Sequence, residues 1–65
     1  MRILGIDLAT RAKHRAIIAN EQGHFIGSVI KFRSRLPDLK RLYAQSRQGM
    51  ESDEPLVVYR FSKLA

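Results

Sequence analysis

The residue of this sequence that is best suited to chemistry is Asp7, which interrupts the apolar run RILGIDL, residues 2–8. A buried carboxylate without a partner is costly, so Asp7 must meet a cation or several hydrogen-bond donors. A metal ion or a phosphate-bearing ligand would give Asp7 a function. An ion pair with Arg11 or Arg15, or hydrogen bonds to the N–H groups of the next turn, would make it structural. The residues alone leave these interpretations open.

Polar and basic side chains follow Asp7 directly. The candidates for nucleic-acid contact are Thr10, Arg11, Lys13 and Arg15. Lysine and arginine displace counterions from phosphates, and a threonine hydroxyl can donate a hydrogen bond to one. We therefore predict that this segment contacts nucleic acid as a cluster. His14 opens the next apolar run, where a half-buried structural histidine is the common arrangement.

Composition supports a polyanionic partner. The chain has 65 residues and a net charge of +6, with twelve basic and six acidic side chains. Such an excess favours nucleic acid. The lack of cysteine excludes disulfides and thiolate metal sites. Every apolar run is shorter than the roughly 20 residues of a membrane-spanning helix, and no signal peptide is evident. We therefore expect a cytoplasmic protein without a membrane partner.

Hydrophobic periodicity predicts the order β-β-β-α-β. The expected strands are 2–8, 14–20, 25–32 and 55–61, and the expected helix is 34–49. The first three strands form an antiparallel meander, with Gly23 in the second hairpin turn. The helix lets the fourth strand lie parallel to the first. The result is an α/β fold, a mixed sheet of order 3-2-1-4 with one helix on a face.

The predicted core takes one side of the third strand and one stripe of the helix. The strand side holds Ile26, Ile30 and Phe32, and the helix stripe holds Leu36, Leu39, Leu42 and Tyr43. Pro37 suits a first helical turn and Gly49 suits a helix end.

The segment GIDLATRAKHRAIIANEQGHFIGSVIKF, followed by DLKRLYAQSRQG, resembles a known family. It is similar to the N-terminal RuvC-like domain of DEDD-type insertion-sequence transposases, relatives of the Piv-like recombinases. The resemblance covers residues 2–58 and implies a partial RNase H-like fold. It makes residues 1–58 the N-terminal part of a RuvC-like domain and residues 59–65 a divergent tail.

The resemblance also implies a role for Asp7. It matches the first of the family's four metal-binding acids, which would make it both catalytic and metal-ligating. In complete members Mg²⁺ supports phosphodiester transfer during DNA transposition, because two such ions can clamp the attacking and leaving oxygens. The partners implied are DNA and a guide RNA.

The sequence departs from the family pattern after Val58. The family has a catalytic glutamate there, whereas Tyr59 and Arg60 follow here, and Glu54 lies before the strand. The later aspartates and the serine-bearing region are also missing. We therefore expect a truncated fragment that binds Mg²⁺ weakly or not at all and is inactive by itself.

Two other hypotheses remain. The chain could be a small basic nucleic-acid-binding module without catalysis, in which Asp7 is structural. A fragment of a sugar-kinase or actin-like ATPase would need glycine and a hydroxyl after the acid, and only Thr10 in Leu8-Ala9-Thr10 fits. In every case an outer strand of the sheet lacks a neighbour, so we expect pairing into a homo-oligomer.

Overall fold

The computed structural model describes residues 1–61, which form a small α/β domain. Its elements are β1 (Arg2–Asp7), β2 (His14–Asn20), β3 (Phe25–Phe32), α1 (Leu36–Arg47) and β4 (Leu56–Phe61). The sheet order is β3-β2-β1-β4, with β1 antiparallel to β2, β2 antiparallel to β3, and β1 parallel to β4. The predicted element and sheet orders are confirmed, although the helix is shorter than predicted at both ends. Residues 62–65 of the predicted tail lie outside the described residues.

β1 is an internal strand, paired on both sides over its whole length. Its burial is nevertheless uneven, since Leu4 and Gly5 are buried and the other four residues are half-buried. The core lies between α1 and the sheet and consists of Leu4, Ala16, Ile18, Phe32 and Leu42. Asp7 ends β1, opposite Arg15 of β2.

A bulge in β3 changes its register with β2. Ala16 pairs with Ile30 and Ile18 pairs with Ile26, so residues 27–29 all lie opposite Ile17. Gly27 has φ +74°, a left-handed conformation that glycine adopts without steric cost. The extra residues shift the pairing by two positions. As a result Lys31, and not Val29, lies opposite Arg15.

The bulge keeps the predicted side of β3 facing the helix, although burial along it is uneven. Phe32 is buried and Ile30 is partly buried against the core. Ile26 is 39% exposed, so its predicted place in the core is wrong. It lies near the start of the outer strand β3, beside an open groove that Arg41 and Gln45 of α1 also line.

The predicted apolar stripe of α1 is wrong for three of its four residues. Leu42 is buried, but Leu36, Leu39 and Tyr43 are 62%, 43% and 60% exposed. The face that packs on the sheet is made of Asp38, Leu42 and Ser46, spaced four residues apart. The two polar residues tolerate burial because each has a hydrogen bond. Asp38 Oδ2 accepts one from the N–H of Arg33 at 2.7 Å, and Ser46 Oγ donates one to the carbonyl of Tyr43 at 2.8 Å.

Contacts at its two ends fix the position of α1. Pro37 lies in the first turn and Gly49, with φ +80°, follows the last turn, both as predicted. The guanidinium of Arg2 donates to the carbonyls of Ser46 and Gln48, which connects the start of β1 to the end of the helix.

Within residues 1–61, no helix is long and apolar enough to cross a membrane.

Candidate nucleic-acid interface

Asp7 lies at the carboxyl end of β1, on the sheet face opposite α1, and is paired with Arg15. Arg15 Nη2 donates to Asp7 Oδ2 at 3.2 Å, with side-chain exposures of 53% for Arg15 and 28% for Asp7. The other carboxylate oxygen, Oδ1, is buried and accepts no hydrogen bond within residues 1–61. A buried acceptor without a donor is unfavourable. The ion pair therefore satisfies only half of this carboxylate.

Strand register sets Asp7 in a row with two cations. Asp7 of β1 pairs with Arg15 of β2, and Arg15 pairs with Lys31 of β3. Residues at one level of a sheet point to the same face, so the three side chains are neighbours. Beside the row, Asp7, Gly5 and Val29 help to line a small hollow of about 150 Å³.

A larger basic hollow adjoins this row. It has a volume of about 440 Å³ and is lined by Ala9, Ala12, Lys13, Arg15 and Lys31. The two alanines leave space, and the three cations supply positive charge. Predicted contact residues Lys13 and Arg15 therefore come together here. Thr10 and Arg11 are exposed on the same turn but are not among the residues lining the hollow.

Lys31 is a member of this cluster that sequence analysis did not select. Side chains alternate between the two faces along β3, so Lys31 points away from the face of Ile30 and Phe32 and lies on the open face of the sheet. A regular hairpin would have put Val29 opposite Arg15, because Phe25 pairs with Ala19 at the start of the strand. The bulge at Gly27 is what brings Lys31 to Arg15.

His14 has a structural role between the two loops at this end of the sheet. Its Nδ1 accepts a hydrogen bond from the N–H of Ala9 at 3.0 Å, and its Nε2 lies 2.7 Å from Ser34 Oγ. The ring of Phe32 packs against it, with centroids 5.3 Å apart. Since Nδ1 is an acceptor, the neutral ring carries its proton on Nε2 and donates it to Ser34. His14 thereby holds the turn after Asp7 against the loop before α1.

The molecule has a basic end and an acidic end. The end of the sheet that carries Asp7 also carries Arg11, Lys13, Arg15, Lys31, Arg33 and Arg35. The opposite end carries Glu21, Glu51, Asp53 and Glu54, and these acids share it with Arg2, Arg47 and the N-terminal ammonium group, which lies 2.8 Å from Glu21. A local concentration of one sign of charge attracts a polyanion to that end of the molecule.

Asp38 remains an anion within the basic end. The hydrogen bond from the N–H of Arg33 lowers the pKa of Asp38 below its ordinary value. Burial opposes this effect, and Arg41, Arg35 and Lys13 add to the lowering. Its charge neutralises part of the positive field on the helix side of the sheet.

The described residues do not fit a self-contained magnesium site. No group of three or more histidine, cysteine, aspartate or glutamate side chains comes together within residues 1–61. Mg²⁺ needs octahedral coordination by oxygen, and Asp7 supplies one carboxylate that already contacts a guanidinium. These residues by themselves therefore support no metal-dependent step.

Comparison of the chain with protein-family models, curated proteins and solved structures finds no match.

Proposed function

We propose that this chain is the N-terminal part of a RuvC-like, RNase H-like domain of a DEDD transposase, and that its basic end binds nucleic-acid backbone. In this proposal residues 1–58 are the RuvC-like part and residues 59–65 the divergent tail. The partners are DNA and a guide RNA, and the protein acts in the cytoplasm. The chain by itself does not transfer phosphodiesters, and in a complete protein Asp7 would be one of several Mg²⁺ ligands.

The observation that carries the proposal is the position of Asp7 beside the basic hollow. Asp7 ends the internal strand of a 3-2-1-4 sheet, and Lys13, Arg15 and Lys31 lie next to it. Its oxygen Oδ1 accepts no hydrogen bond within residues 1–61. A phosphate held by the three cations would lie near this carboxylate, and in a complete protein further acidic residues would have to join Asp7 to hold a metal ion there.

Binding of a short DNA duplex tests the basic hollow. We expect fluorescence anisotropy to show binding that weakens steeply with salt, because phosphate contacts release counterions. Lys31→Gln should weaken binding and reduce the slope of log K against log salt by about 1. Lys40→Gln removes the same charge from an exposed position on the outer side of α1 and should change binding little. Equal losses in the two variants would contradict a specific role for the hollow.

One observation favours the second hypothesis, a basic nucleic-acid-binding module without catalysis. The Asp7–Arg15 ion pair accounts for the presence of an acidic residue at this position without any ligand. Under this hypothesis Asp7 has no affinity for divalent cations.

Paramagnetic Mn²⁺ separates the two hypotheses. If Asp7 is a metal ligand, Mn²⁺ should broaden the amide NMR signals of residues 7–9, and Asp7→Asn should abolish the effect. Asp53→Asn, at the acidic end, is the control and should leave that broadening unchanged. Broadening near Asp7 that Asp7→Asn abolishes would reject the non-catalytic module, in which this carboxylate holds no cation.

A further inference from the structure

The two outer strands of the sheet differ in how well their edges are protected. β3 contains the bulge at Gly27 and the charged Lys31, and both features discourage pairing with another strand. β4 pairs with β1 in uninterrupted register, without a bulge, and its charged residue, Arg60, lies near its end and not at its centre. Within residues 1–61, no strand pairs with its other edge. Its outward N–H and C=O groups are therefore available to a further strand.

Apolar side chains surround this edge on both faces. Val58 and Tyr59 are adjacent residues of β4, so they point to opposite faces, and they are 56% and 55% exposed. On α1, Arg41 and Gln45 border β3. Leu39 and Tyr43 lie on the other flank of the helix and are exposed. A strand added to β4 would cover apolar surface on each face of the sheet.

The distribution of charge along β4 indicates which strand fits. β4 starts directly after the acidic loop of residues 51–54 and carries Arg60 near its end. Because β4 is parallel to β1, it runs from the acidic end of the molecule to the basic end. A second β4 in antiparallel orientation would set the acidic loop of each copy beside the end of the other β4 that carries Arg60. In a pairing centred on Val58, Arg60 of one copy lies opposite Leu56 and near the acidic loop of the other.

We propose that β4 is the interface through which two copies of this chain pair, with their β4 strands antiparallel about a two-fold axis. The arrangement continues the sheet across the axis and buries Val58 and Tyr59 of both copies. It satisfies the outward backbone groups of β4 by hydrogen bonds between the copies. This inference does not depend on the proposed nucleic-acid function.

Light scattering after size exclusion, over a range of protein concentrations, tests the interface. We expect a concentration-dependent dimer. Val58→Lys should shift the protein to monomer, because it adds a charge to the edge and repels its symmetry mate. Val29→Lys is the matched control, since Val29 is 52% exposed on the other outer strand, and it should leave the dimer intact. Circular dichroism checks that both variants are folded.

A charge exchange tests the antiparallel orientation, even if Val58→Lys unfolds the protein. Arg60→Glu should weaken dimerisation about tenfold, because like charges would then meet across the interface. Adding Asp53→Lys should restore it. A monomer at every concentration, or a dimer that survives Val58→Lys in folded protein, would overturn the proposal. Failure of Asp53→Lys to rescue Arg60→Glu would overturn the orientation.

Discussion

Asp7 and Asp38 lie at the same end of the molecule, but their environments differ. Asp38 has a short hydrogen bond from a backbone N–H and three basic neighbours, so its charge is well compensated. Asp7 has one ion pair and one buried oxygen without a donor. A site under purely structural constraint tends to satisfy its buried polar atoms. The unsatisfied oxygen is therefore the reason for assigning a further partner to Asp7 and not to Asp38.

The pH dependence of stability should reveal the role of Asp38. Its pKa in the folded protein lies below the ordinary 3.8, chiefly because of the hydrogen bond from Arg33. The stabilisation is therefore fully present above the ordinary value and is lost as the pH falls through the lower, folded-state value. We expect Asp38→Asn to be less stable than the unchanged protein at neutral pH. The difference should shrink in acid.

Urea unfolding of both proteins from neutral to strongly acidic pH measures this difference. Asp53→Asn is the control, since Asp53 is exposed and should show no such pH-dependent difference. A difference between Asp38→Asn and the unchanged protein that stays constant into strong acid would show that the carboxylate charge is not the stabilising feature.

At the level of secondary-structure elements, α1 positions the core and β3 positions the site. Neither the helix face that is buried nor the bulge in the strand can be predicted from the spacing of hydrophobic residues. The helix packs through a face with a single large apolar residue, Leu42, between two hydrogen-bonded polar residues. β3 carries a bulge that changes which side chain meets Arg15. Both features depend on local hydrogen bonding and backbone conformation.

Two leucine truncations compare the faces of α1. Leu42→Ala should lower the free energy of unfolding by about 2–4 kcal/mol, because it opens a cavity in the core. Leu39→Ala removes the same atoms from a side chain that is 43% exposed and should cost about 0.5 kcal/mol or less. Urea denaturation measures both values. Equal losses would show that the predicted stripe, and not the observed face, packs on the sheet.

Replacement of Gly27 tests the bulge. A Cβ at this position would meet no atom within 4 Å, so any cost of Gly27→Ala comes from its backbone φ of +74°. We expect a loss of about 1 kcal/mol. Gly27→Asn should cost less, because asparagine tolerates the left-handed region better. Equal stability of the glycine and alanine proteins in urea would show that β3 does not keep this conformation.

At the scale of the whole molecule, charge is separated along the strand direction. The turn after β1 and the loop before α1 concentrate basic residues at one end, and the loop before β4 concentrates acidic residues at the other. Most of the net charge of +6 therefore lies at the end that carries Asp7. In the proposed dimer, the acidic loop before β4 in one copy lies beside Arg60 of the other. The two proposals, polyanion binding and self-association, therefore concern different surfaces, the open sheet face and the sheet edge.

The sequence by itself determined the element order, the sheet order and the position of Asp7 at the end of an internal strand. These follow from local signals: apolar runs, Gly23 in a turn, Pro37 in a first helical turn, and a helix long enough for a parallel crossover. The cluster of Lys13 and Arg15 was likewise predictable, because both residues lie close to Asp7 along the chain.

Only the tertiary structure decided which face of α1 is buried and which cation meets Arg15. Burial of Asp38 depends on a hydrogen bond from Arg33, which a pattern of apolar residues does not contain. The place of Lys31 depends on a two-residue shift at Gly27, and a glycine in a strand does not by itself specify a bulge. Both outcomes come from satisfying backbone groups in three dimensions, so they are set by contacts and not by sequence periodicity.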